Sequence, residues 1–285
     1  MLLLDKPSGI SSNAALQRAK RALNAQKAGH TGTLDPLASG LLPLCFGEAT
    51  KFAQVLLDAR KRYTTTMRFG ATTATGDAEG PVLATFPVAF SAAALHAAAD
   101  SFVGARVQTP HAYSALKFEG RALYNYARAG VDVPRLPRPI TIDAMRVLSW
   151  DPPDAVIDIE CSKGTYVRVL AEELGHALGS GAHLIGLRRT GTGVFALDDA
   201  MSLAAFESMA EDAREAQLRP VDAPLAAMPR LSLDAPVAAA LRRGQCPTMA
   251  VAAGLYRVYD VGDRFIGIAA VDSGIMKALR LMQEG

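Results

Sequence analysis

The sequence predicts an α+β protein: a mixed, largely antiparallel sheet flanked by helices over residues 1–229, followed by a small β-rich domain over residues 230–285. Three observations carry this expectation. Strand-like and helix-like stretches are interspersed without the regular period of βαβ units, which disfavours a doubly wound parallel sheet. A connector spaced by Pro220, Pro224 and Pro229 then interrupts the chain. Beyond it lie one helical stretch and two alternating stretches around a Gly262-Asp263 turn. They suit a barrel-like module of about 50 residues, at the low end of what folds alone.

In chain order, residues 2–5 read as a strand and Lys6-Pro7-Ser8-Gly9 as a turn. Ser11, Ser12 and Asn13 form an N-cap cluster ahead of Leu16, Ala19 and Leu23 at helical spacing. Residues 28–43 mix glycine, alanine and polar groups with two prolines, and are read as a loop. Gly47-Glu48 opens a helix to Asp58. Residues 62–69 alternate, with Tyr63, Thr65, Met67 and Phe69 on one face, as a half-buried strand does. Ser91 caps an alanine-rich helix to Phe102, and residues 121–128 form another, stopped by Gly130. Residues 139–148 and 155–161 alternate as strands, 164–178 turn helical, and 183–190 are extended again. Residues 198–235 read as a helix and the connector; then 236–243 are a helix, and 255–259 and 265–271 strands.

Half of the 285 residues are apolar, enough to bury a full core. Cys45, Cys161 and Cys246 are widely spaced, with no C-x-x-C and no histidine at ligand spacing, so neither a disulfide framework nor a zinc site is expected. The first apolar run is only four residues long, and no later stretch approaches a membrane span, so a soluble, cytoplasmic protein is expected. The net charge of +2 says little, but its distribution says more. Residues 1–70 carry ten basic side chains against four acidic ones, whereas residues 198–235 carry eight acids against three arginines. A polyanion should meet the first region.

The segment GHTGTLDPLASG at 29–40 presents Asp35 before a proline, so its backbone is extended or turned. It is not a phosphate-binding loop of the Gly-Lys-Ser/Thr kind, and Lys27 stands where a nucleotidyltransferase His-x-Gly-His signature needs histidine. Taken alone, such an aspartate is more often a local cap than a catalytic group.

Longer strings say more. LLLDKPSGISSN, KAGHTGTLDPLASGLLPLCFGEATKF, KRYTTTMRFGATTATGDAEG, QTPHAYSALKFEGRALYNYARAG and SKGTYVRVLAEELGHALGSGAHLIGLRRTGTG follow one another over residues 2–195. Together they closely resemble the TruB-type tRNA pseudouridine synthases, and the last 50 or so residues resemble, more weakly, the PUA-like RNA-binding domain of that family. The resemblance implies conversion of uridine to pseudouridine at position 55 in the T loop of tRNA, with tRNA T arm and elbow as the partner. It implies a monomer with no protein partner, no metal and no organic cofactor. It makes Asp35 the catalytic residue and has His30 hold the T loop with the base flipped out. Tyr63 would stack on the uracil, Tyr166 and the backbone of Leu187 would contact it, and Arg168 would pair with Asp35. Tyr166 and Arg168, two apart on an extended approach to the helix, are expected to face one side. Lys6 is either structural or phosphate-binding. His111 stands where the family usually has a second proline and is expected to loosen that loop.

Such an isomerisation breaks the C1'–N1 bond, turns the held uracil and joins C5 to C1'. The nucleotide must leave the stack and be received by aromatic and apolar groups, a role that suits Tyr63, Tyr166 and Leu187. Asp35 must be ionised whether it attacks C1', attacks C6 or takes the 2' proton, and a neighbouring arginine favours that form. A tRNA-binding or tRNA-folding protein would use the same contact residues. It would have no need of Asp35.

Overall fold

The computed structural model describes residues 1–283. In chain order the main strands are β1 (Leu2–Lys6), β2 (Ser39–Phe46), β3 (Lys61–Phe69), β4 (Gly104–Gln108), β5 (Arg138–Asp151), β6 (Asp154–Cys161), β7 (Ala182–Thr192) and β8 (Met201–Ser202). Across the sheet they run β8-β1-β2-β7-β3-β6-β5-β4, with Ala28–His30 added beside β2 and Phe195–Ala196 beside β7 to make ten strands. Only β8–β1 and β2–β7 pair in parallel; the other five pairs along the path are antiparallel. The expected mixed, largely antiparallel sheet is present.

Helix α1 (Ser12–Ala22) starts where Ser11 Oγ accepts the Ala14 N–H at 3.1 Å, and buries Ala15, Leu16 and Ala19, one stripe of its surface. Helix α2 (Ala92–Ser101) is capped by Ser91 and turns Leu95 and Ala99 inward. Helix α3 (Val167–Ala177) buries Val167, Leu170, Ala171 and Leu174. Leu16, Leu95 and Leu170 share one core with Leu4, Leu42, Met67 and Ile157 of the sheet. None of the described helices is long and apolar enough to cross a membrane.

A second sheet orders β9 (Arg230–Ser232), β10 (Gly254–Tyr259), β11 (Phe265–Asp272) and β12 (Ile275–Leu281). With α4 (Ala235–Arg242) it encloses a separate cluster of Leu241, Val258, Ile266 and Met276. A small bridging cluster of Phe52, Leu225 and Ile268 ties it to the main body, and Phe52 meets Phe265 edge to face at 5.2 Å.

Several local expectations fail for physical reasons. Residues 39–43, read as loop, belong to the buried strand β2. Pro43 there has no N–H, and its carbonyl accepts from Thr31 N at 3.1 Å. Gly40 takes φ +102°, and a Cβ there would lie 2.3 Å from the Arg189 carbonyl oxygen, so glycine is required by close strand approach. The helix expected from 164 begins at Val167. Arg168 therefore sits in its first turn, and not on an extended run with Tyr166. Residues 198–235 hold two short helices, Leu203–Ser208 and Glu211–Glu215, instead of one.

Candidate active site

Asp35 occupies the loop between strand Ala28–His30 and β2, and that loop is fastened at several points. Ser12 Oγ accepts the Leu34 N–H at 2.7 Å and donates to the Leu34 carbonyl at 3.0 Å. Gly9 N–H donates to the Pro36 carbonyl at 2.8 Å. Arg189, 1% exposed, donates through Nε to Leu41 O at 2.7 Å and through Nη2 to Gly32 O at 3.1 Å, closing both ends. The Asp35 carboxylate is left 39% exposed on a rigid support.

Arg168 reaches it from α3, with its own side chain 5% exposed. Nη2 lies 3.0 Å from Asp35 Oδ2 and also donates to Tyr113 O at 2.8 Å. Nη1 donates to Thr75 O at 2.7 Å, and Nε faces Asp77 Oδ2 at 3.8 Å. Asp77 is itself buried, accepting from the Thr75 hydroxyl and from Glu79 N–H at 3.1 Å. One guanidinium thus joins two carboxylates and two carbonyls, a planar distribution that a lysine cannot copy.

Two cavities, of about 410 and 530 Å³, share Asp35 and Arg168 in their walls. Tyr63, Tyr166 and Leu187 gather with Asp35 in the first, and His30 lies in the second beside Tyr113 and Tyr124. Burial raises the Tyr63 and Tyr166 phenol pKa values, so both stay protonated at neutral pH. Burial, then Arg189, lowers that of His30, which favours the uncharged ring; its Nδ1 has no hydrogen-bond partner among the described residues.

Several participants escaped sequence reasoning. Arg189 lies opposite Tyr63 in the β7–β3 ladder and alternates with Leu187, so strand period alone places it on the same face. Lys61, 7% exposed, shares the first cavity and donates to the carbonyls of Leu56, Leu57 and Ala59 at 3.1, 2.6 and 2.7 Å. Gln108 grips Tyr166 at both backbone groups, accepting its N–H at 2.8 Å and donating to its carbonyl at 3.2 Å. Asp77 lies within the GDAEG string, but no spacing rule identifies it.

Lys6 is fully buried and donates to Pro7 O and Ile10 O at 2.8 and 2.7 Å. It holds the first turn and is out of reach of a phosphate. The loop at His111 is not loosened: Tyr113 N–H donates to His111 Nδ1 at 3.1 Å, and Nε2 lies 3.4 Å from Glu172 Oε1.

Comparisons with known proteins agree over the whole chain. Residues 20–167 match the TruB family pseudouridylate synthase N-terminal domain, 168–227 the tRNA pseudouridylate synthase B C-terminal domain, and 229–282 the pseudouridine synthase II TruB C-terminal domain. The tRNA pseudouridine synthase B of Burkholderia mallei (strain NCTC 10247) is 53% identical over 293 residues, covering 100% of this chain and 97% of that protein. That of Thiobacillus denitrificans (strain ATCC 25259 / T1) is 53% identical over 283 residues, covering 99% and 95%. The fold resembles a chain of a Cbf5-Nop10-Gar1 complex, with TM-score 0.76, 23% identity and coverage of 99% of this chain and 83% of that one. With three family models placed in succession and full-length relatives at this identity, the chain belongs to the TruB family of pseudouridine synthases.

Proposed function

We propose that the protein isomerises uridine 55 in the T loop of tRNA, with Asp35 as the catalytic carboxylate. The observation that carries this reading is the Asp35–Arg168 contact of 3.0 Å at a cavity that also holds Tyr63, Tyr166 and Leu187. A flipped uracil fits between the two phenols and the Leu187 backbone, while Asp35 meets C1', C6 or the 2' hydroxyl from the loop side. The partly exposed carboxylate is free to reach a substrate, and the buried arginine keeps it oriented. His30, in the neighbouring cavity, holds the remainder of the T loop. The protein works as a monomer in the cytoplasm, where tRNA is modified, and the domain of residues 230–285 supplies further RNA contacts.

The test is tritium release from tRNA labelled at uracil C5, because the new C5–C1' bond must expel that hydrogen. Wild-type protein releases the label in many turnovers. Asp35→Asn keeps the size of the side chain and loses its charge, so it should bind tRNA within about tenfold, or 1.4 kcal/mol, and release nothing. Multiple turnover by that variant would end the assignment. Mapping the product to another position of the tRNA would refute the T-loop site alone.

A further inference from the structure

His111 stands one contact away from the Asp35–Arg168 pair, on a loop that no family resemblance gives a role. Its ring is largely enclosed, with the side chain 11% exposed. Nδ1 receives the Tyr113 N–H at 3.1 Å and lies 3.5 Å from Arg168 Nη1. Both neighbours are donors, so this nitrogen must be the unprotonated one. Nε2 therefore carries the hydrogen, and it faces Glu172 Oε1 at 3.4 Å. The Tyr113 ring lies 5.9 Å away, centroid to centroid, tilted by 34°. The same Tyr113 carbonyl accepts from Arg168 Nη2 at 2.8 Å. His111 thus holds the backbone turn that in turn holds the arginine.

Resting on the reading of Asp35 and Arg168 as the catalytic pair, we propose that His111 is a positioning residue for Arg168: its Nδ1 accepts the Tyr113 N–H and so fixes the turn whose carbonyl orients the guanidinium. The charged groups facing it are Arg168 and Glu172, both from α3; Asp77 and Asp35 stand behind Arg168. Without the Nδ1 acceptor the Tyr113 N–H is left unpaired, and the turn at 111–113 no longer holds the carbonyl that accepts from Arg168 Nη2. The result is a chemical step that depends on His111 although Asp35 and the base cavity are unchanged.

Single-turnover tritium release at saturating enzyme, at about pH 7.5, tests this on the full chain. His111→Gln, whose amide can accept from Tyr113 and donate to Glu172, should keep the rate within about threefold of wild type. His111→Ala should lose about tenfold at pH 7.5, near the worth of one or two such hydrogen bonds, with tRNA affinity unchanged. Imidazole nitrogen NMR at pH 7.5 should show Nδ1 unprotonated. The inference is overturned if the glutamine variant loses as much rate as the alanine variant, if the alanine variant matches wild type at pH 7.5, or if Nδ1 carries the proton. An active Asp35→Asn variant would instead remove the underlying catalytic reading. An inactive one, together with an alanine variant that matches wild type, removes only the role of His111.

Discussion

The Asp35 carboxylate and the Arg168 guanidinium meet through a single nitrogen, Nη2, at 3.0 Å. The bidentate fork that a lone arginine–carboxylate pair would form is absent, because Nη1 and Nε are turned to Thr75 and Asp77. Arg168→Lys should therefore damage both orientation and fold. The variant loses donors to the Thr75 and Tyr113 carbonyls, at about 1 to 3 kcal/mol for each buried acceptor left unpaired. We expect the single-turnover rate to fall by about 100-fold or more and the urea midpoint to drop, with tRNA binding little changed. A rate near wild type would show that a point charge suffices.

The basic N-terminal region divides into side chains already occupied and side chains open to RNA. Arg18 is paired with Glu207, Arg60 faces Asp143 at 3.1 Å, and Lys61 is buried, whereas Arg21 and Lys27 are exposed. Neutralising Arg21 or Lys27 should flatten the log–log slope of tRNA affinity against salt by about 0.7 to 0.9 each. Neutralising Lys61 should not alter it. Binding isotherms at several salt concentrations distinguish the two groups, and equal slopes for all variants would remove this face from the RNA footprint.

Truncation after residue 229 should do more than weaken RNA binding. Phe52, 1% exposed, lies under Ile268 and Phe265, and Lys51 donates to Leu281 O at 3.2 Å. Exposing Phe52 alone costs roughly 1.5 to 3 kcal/mol. We expect a lowered urea midpoint, but an unchanged single-turnover rate on a T-arm hairpin well below that midpoint, since no residue of the base cavity lies beyond 189. Calorimetry and hairpin kinetics report the two effects separately.

Lys61 makes stability depend on pH in a definite direction. Burial, and then Arg189, push its pKa down to about 8 from an ordinary 10.5. Below pH 8 the ammonium is charged in both states, and the fold bears the full burial cost. Between about 8 and 10.5 the folded protein has released the proton and the unfolded chain has not, so this cost is relieved as pH rises. The stability of wild type relative to Lys61→Met should rise by roughly 2 kcal/mol from pH 7 to 10. Urea unfolding of both proteins across that range measures it, and a constant difference would mean that the three carbonyls offset burial fully.

The legible parts of the fold were those with a clean period. Tyr63, Met67 and Phe69 announce β3 by alternation, and Leu16, Ala19 and Leu23 announce α1. Strand β2 was hidden because Gly40 and Pro43 are breakers by local chemistry, and only the approach of β7 makes them acceptable there. The motif strings supplied Asp35, Tyr63, Tyr166 and Arg168, and the fold brings all four to one cavity. Gln108 was illegible because its hydrogen bonds reach the Tyr166 backbone 58 residues away, and Asp77 and Lys61, which bond to groups within five residues, join the site only through Arg168 and Arg189, distant in sequence. Spacing says nothing of such partners.

Strands β2 and β3 follow one another in the chain but are separated in the sheet by β7, whose Arg189 also closes the Asp35 loop. During synthesis from the N-terminus, the first 69 residues therefore emerge with a gap that nothing fills until residues 182–192 arrive. A nascent chain already carries Asp35 and most of the basic surface, yet it has neither Arg168 nor Arg189 to set them. Assembly waits on long-range pairing, which is slow. Strand order itself thus keeps the catalytic pair and its loop unassembled until two thirds of the chain has been made.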